Sequence, residues 1–303
     1  MNKITVIGVS SSAGARRVGQ DRAPYSFRAA GLPKGLAAGG FEVKEFYLDQ
    51  VTFRADPEHA REQNLELVLQ VAQDVAGHVS EAVANNTKAI VLGGDCTITL
   101  GVVSGLISHL PNLGLIYFDG DVDLNTPQTT ASGIFDGMVM SHLIGDGSEA
   151  LAHIGGRYPL MPEEKIVLFG YNQAAGWIDP AEMQRLERCS MLKYPAPLIR
   201  GKAVRAATEA LGQLDVLVQH VLIHFDVDVI DRRDFAAADV LHDHGLTFDE
   251  TMDALKVFAS SPKFAGLVIT EFNSERDSDG VLAQRLVAAV VKILIEATRG
   301  TKT

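Results

Sequence analysis

The chain has 303 residues, 47% of them hydrophobic and 21% charged, with a formal net charge of −11. That is the profile of a globular protein large enough to bury a substantial core. The acidic balance, without any Lys/Arg-rich stretch, excludes the usual signature of nucleic-acid or anionic-membrane partners and mildly favours a small cationic one.

Cys96 and Cys189 are too few for a disulfide framework and suit a reducing cytoplasm. The opening MNKITVIGVSSSAGARR lacks a signal-peptide pattern. The apolar run LVAAVVKILIEA at 286–297 is interrupted by Lys292 and reads as a packed helix, too short for a bilayer.

Along the chain, a strand is predicted over Lys3–Val9 and another over Phe41–Leu48. A long helix is predicted over Glu58–Ala84, with a break near Gly77. Strand Lys88–Leu92 precedes helix Thr97–His109, strand Leu113–Phe118 precedes helix Gly137–Ile144, and strand Lys165–Phe169 follows. KYPAPLIRGK at 193–202 reads as a surface connection before helix Lys202–Leu214. Strand His220–Asp226, helix Thr247–Ser260, strand Phe264–Thr270 and helix Val281–Thr298 complete the set. Thr247 and Glu250 have capping-box spacing. Such alternation predicts a mostly parallel sheet covered by helices, and without a linker-like composition shift residues 1–303 read as a single domain.

Two of these strands are unbroken apolar runs ending in carboxylates: LGLIYFDGDVDLN at 113–125 and HVLIHFDVDVID at 220–231. Ligands of open α/β sheets bind at the carboxyl ends of strands. Asp119, Asp121, Asp123, Asp226 and Asp228 gathered there need metal cations to be tolerable; the bland alternative is a pair of solvated strand ends. An EF-hand loop is excluded, because Leu124 and Thr130 stand where Gly and Glu are required. A phosphatase with an Asp nucleophile leaves the second acidic strand without a role. A third strand ends in Gly93–Gly94–Asp95–Cys96, placing Cys96 by a helix start as a candidate thiolate ligand or a small buried hydrophobe.

These strand ends, in this order, resemble the ureohydrolase family of arginase, agmatinase and formiminoglutamase. IGVSSSAGARRVGQDRAPYSFRAAGL looks like its opening strand and loop, GGDC at 93–96 stands where the family has GGDH, and DGDVD at 119–123 where it has DAHxD. FDVDVID at 225–231 and ITEFN at 269–273 match its later motifs, and DLNTPQTTASG at 123–133 is close to arginase itself. YNQAAGWIDPAE at 171–182 loosely resembles its acidic substrate loop.

The resemblance implies a three-layer α/β/α fold with a mostly parallel central sheet, a dinuclear manganese site, and hydrolysis of a guanidino group in a trimeric or hexameric homo-oligomer. It implies metal ligands at Cys96, Asp119, Asp121, Asp123, Asp226 and Asp228. It also implies that Asn125, Thr130 and Ser132 hold a substrate carboxylate and that Glu271 pairs with the guanidinium; a salt bridge from Glu271 to Arg276 or Arg285 is the structural alternative.

Arginases use three imidazoles here, two on metal and one as acid/base; Cys96, Asp121 and Asp136 stand in those places. Six ionised ligands against two divalent cations leave about two surplus negative charges. The thiolate shifts preference toward Zn2+ or Fe2+, while the carboxylates still suit Mn2+. Asp136, its pKa raised by buried neighbours, and His224, two residues before Asp226 on one strand face, are the acid/base candidates. A core role for His224 stays open, and His242 and His244 read as solvated loop residues. The expected activity is metal-dependent cleavage of a C–N bond in a guanidino or N-hydroxyguanidino amino acid by metal-bound hydroxide. The competing expectation is a non-catalytic arginase-like protein that binds a ligand or partner subunit.

Overall fold

The computed structural model describes residues 3–173 and 178–300. Its centre is an eight-stranded sheet: β1 Lys3–Gly8, β2 Glu42–Tyr47, β3 Lys88–Leu92, β4 Leu113–Phe118, β5 Ile166–Phe169, β6 Leu192–Tyr194, β7 His220–Asp226 and β8 Phe264–Thr270. Every pairing in it is parallel, in the order β2-β1-β3-β8-β7-β4-β5-β6.

The helices are α1 Ala23–Ala29, α2 Leu32–Ala38, α3 Leu65–Ala84, α4 Ile98–Ile107, α5 Val139–Leu143, α6 Glu149–Ala152, α7 Pro180–Arg188, α8 Ala196–Ile199, α9 Ala203–Asp215, α10 Phe248–Ala259 and α11 Val281–Gly300. Side chains alternate across the pleat. In β4, Ile116 and Phe118 enter the core shared with α9, α10 and α11, while Leu115 and Tyr117 enter the one shared with α3 and α4. All six β4 residues are buried, as expected of a strand with helices on both faces. Each fully buried aliphatic side chain there is worth about 1.5–3 kcal/mol. No described helix is long and apolar enough to cross a membrane.

Several boundaries differ from the sequence reading. The long helix starts at Leu65, because Asp56 accepts hydrogen bonds from the backbone of His59 and Asn64, and Asn64 adopts φ +63°. These local side-chain bonds draw residues 57–64 out of the helix. There is no break at Gly77, which faces open space inside a continuous α3. Residues 193–202 are not wholly a connection: Leu192–Tyr194 form edge strand β6 on β5, and Ala196–Ile199 form α8 after Pro195. Three residues of strand are too few for an alternation signal. Around 137–144 a 3-10 turn over Asp136–Met138 leads into α5. The capping box of Thr247 and Glu250 opens α10 as read from the sequence.

Register positions the site. Leu92, Ile269, Phe225 and Phe118 lie level across β3, β8, β7 and β4. The residues that follow these four central strands therefore emerge side by side at one edge of the sheet.

Candidate metal centre at four strand ends

Asp119, one residue beyond β4, accepts the Asp121 amide at Oδ1, 2.6 Å, and places Oδ2 3.3 Å from His224 Nε2. Asp226, the last residue of β7, accepts the Asp228 amide at 2.8 Å and, at its other oxygen, the Cys96 thiol at 2.9 Å. Cys96 comes from the turn between β3 and α4. Gly94 lets that turn pass against the chain near β1, since a Cβ there would sit 2.2 Å from the Ser11 carbonyl. The thiol also lies 3.7 Å from His224 Nε2 and 3.3 Å from Thr270 Oγ1.

One donor atom each from Cys96, Asp119, His224 and Asp226 falls within 4.8 Å of all the others, and all four residues are buried. A second group of that kind joins Asp121, Asp228 and His242, and a third joins Cys96, Asp136 and Glu271.

His224 alternates with Phe225 and so faces α4, on the side where Asp226 meets Cys96. Thr99 Oγ1 lies 2.7 Å from Nδ1, and the Tyr117 ring stacks on the imidazole at 4.1 Å. Burial holds its pKa down to about 3, so the ring is neutral.

The expectation for His242 is corrected: it is 1% exposed rather than solvated, whereas His244 is exposed. Its loop folds back because Asp231 gives its backbone N–H to the Leu246 carbonyl and accepts the His244 N–H and the Arg233 guanidinium. The Arg232 amide donates to the His242 carbonyl, and Asn172 holds the Asp243 carbonyl. His242 Nε2 then stands 3.4 Å from Asp121 and 3.6 Å from Asp228. Burial by itself would lower its pKa, but the Asp228 and Asp121 carboxylates outweigh it and push it up to about 11. No sequence periodicity pointed to this residue.

Asp123 follows a different course. Its backbone sits at φ +49°, and its carboxylate takes the Tyr117 hydroxyl, which leaves it outside the three donor groups among the described residues. Tyr117 was missed because it reads as one more apolar strand residue.

Asp136 is half-buried and accepts the Cys96 amide at 2.9 Å. Glu271 is 2% exposed and takes Gln20 Nε2 at 3.1 Å on one oxygen, while its other oxygen has no partner. Neither Arg276 nor Arg285 pairs with it; they bond the carbonyls of Asp239 and Asp234. Glu271 has φ +62°, a conformation that costs about 1–3 kcal/mol and is held by backbone bonds to Gly94 and Asp239. Burial first, and neighbouring carboxylates second, raise Asp119, Asp136, Asp226 and Glu271 well above the usual carboxylate range. Burial and then Asp226 raise the Cys96 thiol likewise.

Asn125, Thr130 and Ser132 lie together on the loop after β4. Thr130 Oγ1 accepts the amides of Ser132 and Gly133 and lies 3.2 Å from Ser132 Oγ, while Asn125 Oδ1 accepts Thr129 Oγ1 at 3.0 Å. Arg16 and Gln63 brace the loop by donating to the Ser132 carbonyl, each at 2.8 Å. Within the segment 171–182, residues 174–177 lie outside the described residues; Glu182 beyond them accepts the Leu124 amide at 3.1 Å.

The sequence profile of the arginase family matches residues 2–297. The chain is 28% identical over 299 residues to the arginase of Brevibacillus brevis, covering 97% of this chain and 98% of that one. It is similar to the solved arginase of Bacillus caldovelox, with TM-score 0.90, 26% identity and coverage of 97% and 98%. The formimidoylglutamase of Bacillus subtilis shares the fold, with TM-score 0.74 at 19% identity, across 100% of this chain and 88% of that one. With its strand-end carboxylates set as described, the chain belongs to the arginase family.

Proposed function

We propose that the protein is a metal-dependent amidinohydrolase that cleaves a C–N bond of a guanidino or N-hydroxyguanidino amino acid. The observation that carries this reading is the convergence of buried, pKa-raised carboxylates and one thiol at four adjacent strand ends. Such a set is stable only with protons or cations among its oxygens.

The donor chemistry fits a divalent metal. Cys96, Asp119, Asp121, Asp226 and Asp228 are the proposed ligands, with Asp123 joining them only if its carboxylate leaves the Tyr117 hydroxyl, and the partnerless Glu271 oxygen supports an acceptor for a group outside the chain. The proposed ion is Mn2+, one or two per chain, with Zn2+ or Fe2+ as thiol-compatible alternatives. A divalent cation there supplies charge compensation and a water acidic enough to act as nucleophile near neutral pH.

The chain's own residues do the rest. Glu271, as carboxylate, is suited to two parallel hydrogen bonds with a planar guanidinium. Asn125, Thr130 and Ser132 offer polar groups to the far carboxylate. Asp136, raised well above the usual carboxylate range by burial and by Asp95, is the proposed proton donor to the departing amine. Its Oδ1 is engaged by Cys96, which leaves Oδ2 for that proton. Water adds to the central carbon, the C–N bond breaks, and the amine leaves protonated. We place the enzyme in the cytoplasm as a trimer or hexamer, which light scattering checks.

The test is urea release from arginine, agmatine, guanidinobutyrate and hydroxyarginine after loading with Mn2+, Zn2+ or Fe2+. Turnover of at least one substrate, abolished by Asp226→Asn, is expected. Absence of urea from all of them with metal bound would overturn the reading.

A further inference from the structure

We propose that the centre is two unlike metal pockets, each completed by its own imidazole: Cys96, Asp119, His224 and Asp226 for a thiophilic divalent cation such as Zn2+ or Co2+, and Asp121, Asp228 and His242 for a harder one. This deepens the hydrolase reading and rests on it only for the presence of metal.

The first pocket has the dimensions of a tetrahedral site. A cation about 2.0–2.3 Å from each of four donors sets those donors about 3.3–3.8 Å apart. The separations present are 2.9 Å from Cys96 to Asp226, 3.7 Å from Cys96 to His224, and 3.3 Å from His224 to Asp119. Only small movements are needed to seat an ion among them.

His224 is arranged as a ligand. In the tautomer with Nδ1–H donating to Thr99 Oγ1, 2.7 Å away, the Nε2 lone pair faces Asp119 and Cys96, and Tyr117 fixes the ring plane. At 0% exposure, with Cys96 and Asp119 at its inner nitrogen, it is badly placed to hand a proton to a leaving group. One thiolate, one imidazole and two carboxylates select a softer ion than an all-oxygen site does.

The surroundings of this pocket also call for positive charge from outside the chain. Beside Cys96 and Asp136, the buried Glu271 keeps one oxygen without a partner, so the wall of this pocket contains an acceptor that the chain itself does not satisfy.

The second pocket depends on Gly120. A Cβ at that position would fall 2.7 Å from His242 Cδ2 and 2.8 Å from Asp228 Oδ1. Glycine in DGDVD thus makes the space in which the imidazole approaches Asp121 and Asp228. The two pockets share no donor residue.

The experiment is titration of the metal-stripped full chain with Co2+ alone and with Mn2+ alone, followed optically and by isothermal calorimetry. The first Co2+ equivalent should give a near-ultraviolet thiolate-to-cobalt band with tetrahedral visible bands, and Zn2+ should displace it. Cys96→Ser should abolish the thiolate band. His224→Gln should weaken the first equivalent at least about 100-fold, more than loss of a supporting hydrogen bond does. Gly120→Ala should weaken the second equivalent and spare the first.

X-ray absorption of the wild-type chain with one equivalent of Zn2+ tests the same assignment without any variant. Sulfur and imidazole scattering are expected. Oxygen scattering alone, or His224→Gln binding within about threefold of wild type, would overturn the proposal even if urea release survives. Failure to bind any of the ions would overturn both readings.

Discussion

His224 and Asp226 stand on β7, Asp119 directly follows β4 and Cys96 lies in the turn after β3, whereas Asp121, Asp228 and His242 lie farther out in the loops. The first group is buried throughout and its positions follow from sheet register. The second is open at Asp121 and depends on the loop organised by Asp231. A pocket built on strands is rigid because the whole sheet must deform to change it. One built on loops is tuned by a few hydrogen bonds. Tight binding is therefore expected in the first and adjustable binding in the second.

The largest expected effect is Asp226→Asn, which removes a carboxylate charge from the first pocket and disturbs the Asp228 amide bond leading into the second. Metal affinity should fall by more than about 100-fold, beyond the range for a supporting contact, as measured by competition with a chromophoric chelator. Retained affinity would dissolve the distinction, since the carboxylate that ends β7 would then hold no metal.

Glu271→Gln keeps the size of the side chain and removes its charge. A lost charge-assisted pair of about 1.5–3 kcal/mol corresponds to roughly 10–150-fold in kcat/KM, with metal content unchanged. A loss of metal instead would move Glu271 into the first pocket as a ligand.

His242→Ala should weaken only the second metal equivalent, by about 10–100-fold, with the first unchanged in calorimetry. Equal weakening of both equivalents would show one merged centre.

The smallest effect concerns the loop beside Asp121 and Asp123. Burial, then the nearby Asp179 charge, raises Glu182 to about 7. The folded state thus holds its proton between the ordinary 4.5 and about 7, while the unfolded chain has released it. Stability consequently falls as pH rises through that window. Glu182→Gln should remove this pH-dependent loss, making the protein more stable at pH 8 by about 1–3 kcal/mol relative to wild type, with little change at pH 4. Thermal melts at the two pH values decide it; a parallel shift at both would assign the effect to packing.

The contrast between the groups also explains what the sequence revealed. β3, β4, β7 and β8 were read to the residue because long apolar runs stop abruptly at Gly93, Asp119, the Asp226–Asp228 cluster and Glu271. Period-two alternation likewise put His224 on the side of Asp226. His242 escaped because a loop has no period: its burial arises from Asp231, Asn172 and Gly120, far apart in sequence. Tyr117 escaped for the opposite reason, since its hydroxyl is hidden in a regular apolar strand until its partner Asp123 is placed. The start of α3 was misplaced because Asp56 and Asn64 use their side chains on the backbone, a competition that hydrophobic pattern does not register.

Metal content of the purified, folded chain after equilibrium dialysis against Zn2+, Co2+ or Mn2+, read by inductively coupled plasma mass spectrometry, is the decisive measurement. The two-pocket arrangement requires one ion per chain that survives dialysis into metal-free buffer and a second that is bound only at higher free metal. Metal far below one per chain under every loading condition, in protein whose circular dichroism shows it folded, would contradict it.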